Sequence, residues 1–146
     1  KNFVKKYKER LAPERAESAV NLNMAKIYFK EKKYNKALEL LALVRQDDVF
    51  YKAYIKGLYA MIYFESGFTE ELILLLDSYR SFLASNVLLG ETFKEHHYNF
   101  VSILLKLVRL KDIGKKSEIE YLKHEAEGTK SLFNKPWLLE KINQLL

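Results

Sequence analysis

With 146 residues, 49% of them hydrophobic and 30% charged, the chain has the length of one folded domain and a composition too apolar for disorder. Zero cysteines exclude disulfides, thiolate metal sites and cysteine nucleophiles, and only five Gly and two Pro leave too few turns for a many-stranded β fold. The net charge is +6, and the excess sits early, with 12 basic and 6 acidic side chains in residues 1–47.

Apolar residues recur at helical spacing almost throughout. In 3–11, Phe3, Val4, Tyr7 and Leu11 form one stripe. Pro13 and Glu14 then suit a fresh helix start. A long helix is predicted over 13–32, with Ala16, Val20, Met24, Ile27 and Tyr28 facing inward. A tight turn at Lys32-Lys33 leads to a helix over 34–45, with Ala37, Leu38, Leu41 and Val44 inward. Gln46-Asp47-Asp48 is polar and able to cap the next helix, over 49–66, whose inward residues are Tyr51, Ile55, Leu58 and Ile62. Gly67 fits a helix-ending residue with positive φ.

A helix over 68–84 follows through Leu72, Leu75, Leu76, Tyr79 and Phe82. The next, over 88–111, is apolar around much of its circumference between Phe100 and Val108 and must be covered on more than one side. After a turn at Gly114, Ser117 is placed to cap a helix reaching 133, and Pro136 opens a last one carrying Trp137, Leu138, Ile142 and Leu145. Short connections favour antiparallel neighbours, so the reading is all-α. The longest apolar runs, such as 72–76, are far too short to cross a bilayer.

Two segments share the pattern Ala-x-Ile-Tyr-Phe: Ala25 to Phe29, and Ala60 to Phe64, 35 positions later. Each ends a helix and precedes a tight turn and a second helix. A small Ala lets two helices approach closely, and the aromatic pair fills the gap to a neighbour. On these residues the chain resembles a tetratricopeptide repeat. Ala25, Tyr28, Tyr34 and Ala37 stand at the family's small, aromatic, second-turn aromatic and second-helix Ala positions. The repeats are degenerate: Asn21 replaces the usual Trp, Met24 the usual Leu, and Lys32 the turn Gly. The second repeat keeps Ala60, Tyr63 and Gly67, with Leu72 in place of the Ala.

The resemblance implies a right-handed α-α superhelix of antiparallel hairpins at 13–45, 49–84 and 88–133, in a single domain 1–146. Residues 1–11 would end a preceding hairpin and pack on the first long helix, and 136–145 would close the array. Because the first residue is Lys1, the expectation is the C-terminal part of a longer chain, with a cytoplasmic location as the default.

In the family the first helix of each hairpin lines the concave face. That implies Leu22, Lys26, Phe29 and Lys30 in the first repeat, then Tyr54, Gly57, Met61, Phe64 and Glu65, and after these Thr92, His96 and Asn99. Apolar anchors with a polar fringe suit a polypeptide segment. No membrane partner is expected, and nucleic acid is not favoured, because acidic residues are interspersed among the lysines.

Catalysis and cofactors are not expected either. His96-His97 are adjacent and so diverge by about 100° on a helix, whereas a two-histidine metal site wants a spacing of three or four. Asp47-Asp48 and Glu70-Glu71 suit helix starts, and adjacent positions form no acid/base pair. The leading function is a protein-interaction scaffold. The alternative is a structural or regulatory C-terminal portion of a larger protein whose other parts contact nucleic acid.

Overall fold

The computed structural model describes the backbone of residues 2–146, and side chains from Pro13 onward. Among the described residues there are seven α-helices and no strand. None of these helices is long and apolar enough to cross a membrane. The chain divides into two compact units, Lys1–Ser66 and Gly67–Leu146. That boundary falls inside the hairpin expected at 49–84, so its two helices belong to different units.

The first unit holds α1 (Asn2–Lys30), α2 (Tyr34–Leu41) and α3 (Val49–Ser66). α1 runs through Pro13 without the expected restart. A proline forfeits one backbone bond, and the good helix formers Glu14 to Glu17 carry the helix on. The packing expected of side chains 1–11 lies outside the described residues.

α1 packs on α2 and α2 on α3, around Leu22, Ala25, Ala37, Leu41, Val44, Ile55, Leu58 and Ile62. Ala25 and Ala37 are fully buried, as the close helix approach requires. Between α1 and α2 the Lys33 N–H donates to Tyr28 O at 2.8 Å and the Lys32 N–H to Phe29 O at 3.0 Å. Those two bonds define a Schellman turn. Its left-handed residue is Lys32, at φ 63°.

α2 stops at Leu41, four residues before the expected end. Val44 folds back into the core, and the Arg45 N–H donates to the buried Ser18 Oγ at 3.0 Å, tying the chain to α1. The Arg45 guanidinium pairs with Glu14 and, at 3.3 Å, with Asp47. Asp48 caps α3 by accepting the Tyr51 N–H at 2.8 Å.

The second unit holds α4 (Thr69–Ser85), a single 3-10 turn at Val87–Leu89, α5 (Glu91–Ile113), α6 (Lys116–Gly128) and α7 (Lys135–Leu145). Gly67, just before α4, has φ 79° as expected. α5 packs against α4, α6 and α7 and buries His97, Phe100, Val101, Ile103, Leu104 and Leu107. Its nearly all-round apolar surface is therefore covered from several sides.

Two boundaries differ from the sequence reading. Lys115, not Ser117, is the cap residue of α6, with the Glu118 side chain reaching back to its N–H. α6 also ends at Gly128 rather than near 133. The loop beyond it is drawn onto α5 instead: Asn99 Nδ2 donates to Ser131 O at 2.8 Å, and the Phe133 N–H donates to His96 O at 3.2 Å. Lys135 Nζ closes the loop at its base with bonds to Glu127 O and Thr129 O at 2.9 and 3.0 Å.

Candidate functional site

α1 carries largely apolar stripes on two opposite faces, the first including the polar Ser18. Ser18, Leu22, Ala25 and Phe29 follow i, i+4, i+7, i+11. Ala16, Val20, Met24 and Ile27 follow i, i+4, i+8, i+11, and at 100° per residue their mean direction lies about 175° around the axis from that of the first set. The first set faces the core: Ser18, Leu22 and Ala25 are buried, and Phe29 is packed against them. The second is left at the surface, with Val20 60% exposed, Ile27 48% and Met24 36%. The inward stripe expected from the sequence is thus the outward one. Burial goes to the face that carries Ala25, which meets Ala37 of α2 in the core, where two small residues admit a close approach.

This exchange relocates the expected groove residues. Leu22 and Phe64, each 8% exposed, are buried rather than presented to a partner. Phe29, Tyr54 and Met61 are half-buried and pack against the first unit's core, with the Phe29 and Tyr34 rings 6.2 Å apart. Gly57 is buried and Glu65 half-buried. Glu65 accepts the Tyr34 hydroxyl at 3.0 Å. Burial first, and then this carboxylate, push the Tyr34 phenol up to about 12. Lys26 lies over the Tyr54 ring at 4.9 Å. Lys30 is exposed.

The α1–α2 corner collects positive charge. Lys26, Lys30, Lys32, Lys33 and Lys36 fall within eleven residues that hold one acid, Glu31. Lys33 lies 3.7 Å from Glu31, and Lys33 and Lys36 sit over the Tyr28 ring at 5.8 and 5.6 Å. Such contacts hold ammonium groups near the surface without neutralising them. The sequence showed the lysines. It did not show that they stand at one end of an exposed apolar stripe, because that stripe reads as core.

In the second unit Thr92 and His96 line an open hollow of about 520 Å³ together with Leu89, Gly90, Phe93 and Ser131. Asn99 is committed to the loop after α6. His96 Nδ1 lies 3.4 Å from Ser131 Oγ. Its neighbour His97 is buried, 3% exposed, and stacked on Phe133 with centroids 4.3 Å apart. The Tyr79 hydroxyl meets His97 Nδ1 at 2.5 Å. Burial raises the Tyr79 phenol far above its ordinary value, so we assign it as the donor and the ring as a neutral acceptor. Burial, with His96 as a lesser cause, pushes the His97 imidazole down to about 4. The two histidines thus serve different partners within the fold.

Comparison with protein-family models, with curated proteins and with solved structures finds no match to this chain.

Proposed function

We propose that this chain is a protein-interaction scaffold built from tetratricopeptide-like hairpins stacked in a right-handed superhelix, and that it holds a polypeptide segment and does no chemistry on it. One observation carries the reading: α1 has an outer apolar face, Val20, Met24 and Ile27, that folding of the chain leaves in water. A continuous exposed apolar stripe costs solubility, and its ordinary use is association. The buried alanines at the first hairpin's crossing and the Schellman turn at the family's Gly position support the repeat resemblance. The binding face is the back of α1 rather than the groove side, since Leu22 and Phe64 belong to the interior.

The test is site-specific photo-crosslinking in the source cells. A benzophenone amino acid at Met24 is expected to trap a polypeptide. The same group at Glu39, exposed on α2, is expected to trap none. Equal adducts from both positions, or none from Met24, refute the reading.

A further inference from the structure

Resting on that interaction reading, we propose that the outer face of α1 takes one kind of partner: an amphipathic helix with an apolar stripe and a cluster of Asp or Glu at one end. The argument starts from shape. Ala16 to Ile27 spans three turns, about 16 Å along the axis. It is a ridge on a single helix and offers no unpaired backbone. An extended peptide that binds by strand addition needs a sheet edge, and among the described residues there is no strand. The complement of side chains spaced i, i+4, i+8, i+11 is a second set at helical spacing, ridges seated in grooves.

Charge then selects the partner's composition. At the C-terminal end of the stripe, Lys30 follows Ile27 by three residues. The turn directly beyond adds Lys32 and Lys33, and α2 adds Lys36, all four exposed. Glu31 lies in line with the stripe and is held by Lys33 at 3.7 Å. The other end differs: Glu17 flanks the stripe there, while Glu14 is occupied by Arg45. Among the described side chains the surface is therefore polarised, apolar along its length and cationic at its α2 end. An acidic cluster on the partner fixes its register and orientation, and opposite potentials speed the encounter. A second copy of this chain is disfavoured, because two bodies of net charge +6 repel. Nucleic acid would use the lysines and leave the apolar stripe in water.

The experiment is a selection from a displayed library of random 16-residue helical peptides. The bait is the full chain, counter-selected against the variant Val20→Ser, Met24→Ser, Ile27→Ser, with both baits matched by circular dichroism and thermal melting. The expected winners carry apolar residues at i, i+3 or i+4, and i+7, with two or more Asp or Glu at one end. Their affinity for the chain is expected to fall at least tenfold with Lys30→Glu, Lys32→Glu, and again when NaCl rises from about 0.1 to about 0.5 M.

Winners with the apolar stripe but no acidic bias overturn the partner chemistry and leave the interaction reading standing. No winner over the counter-selected variant overturns both. Binding of poly-uridylate equally by the chain and the serine variant, lost in the lysine variant, assigns the corner to nucleic acid and overturns the proposal. So does a dimer in analytical ultracentrifugation that the serine variant abolishes.

Discussion

Lys32 occupies a backbone conformation suited to glycine, and its replacement is the sharpest test of the turn geometry. At φ 63° the Cβ of an L-residue crowds the following carbonyl, a strain of about 1–2 kcal/mol. Glycine removes it, but the unfolded chain gains freedom worth about 0.4–1 kcal/mol. Lys32→Gly should therefore stabilise the first unit by about 0.5–1 kcal/mol, while the two Schellman bonds at 2.8 and 3.0 Å stay in place. If the chain melts in one transition, that is a rise in Tm of about 2–3 °C. A second variant separates strain from charge, since Lys32 also stands among other lysines. Lys32→Ala keeps the Cβ and removes the ammonium. Differential scanning calorimetry of the wild type and both variants at equal salt should show a gain for Gly and little for Ala. Equal gains would assign the effect to relief of lysine repulsion, and no gain for Gly would refute the strain argument.

Because the imidazole of His97 is pushed down to about 4 in the fold against about 6.5 unfolded, the unfolded chain takes the proton first on acidification. The stability this group contributes is complete above pH ~6.5 and falls by up to about 3 kcal/mol as pH drops toward 4. Urea titrations at pH 7.5, 6 and 4.5 should show that slope, and His97→Gln should flatten it. Ala25→Trp should destabilise by about 1–3 kcal/mol or more through overpacking at a fully buried crossing. Ala19→Trp, on the exposed side of the same helix, should leave the melting temperature nearly unchanged. Asp48→Ala should cost about 1 kcal/mol by removing the α3 cap, read as a lower urea midpoint at constant m-value.

The boundaries of α3 are legible in the sequence because both are set by local chemistry: a carboxylate on a backbone N–H at Asp48 and a left-handed residue at Gly67. The early ends of α2 and α6 are not, because distant partners set them. Ser18 lies 27 positions from Arg45, and Asn99 lies 32 positions from Ser131, so no window along the chain contains the reason. The orientation of α1 fails differently. Its two apolar stripes score alike by periodicity and each holds an alanine, so the deciding residue is the alanine of the repeated Ala-x-Ile-Tyr-Phe block. Ala25 marks the face that α2 approaches, and reading the stripe that contains it identifies Ser18, Leu22 and Phe29 as inward. The candidate site is hidden by the same step, since periodicity alone assigns the exposed stripe to the core.

The loop between α6 and α7 has a consequence for how the chain is cut and extended. Lys130 is exposed, and by position it looks like an inviting place for trypsin or for a fused tag. A protease must draw several residues on either side of the scissile bond into an extended strand. On one side the Thr129 hydroxyl is bonded to Glu125 O at 2.7 Å and Lys135 grips the end of α6. On the other, Ser131 and Phe133 are bonded to α5, and the Phe133 ring lies on His97. Opening the loop for cleavage means dismantling the aromatic cluster of the second unit. Insertions belong instead between α5 and α6, where Ile113 and Lys115 project into solvent.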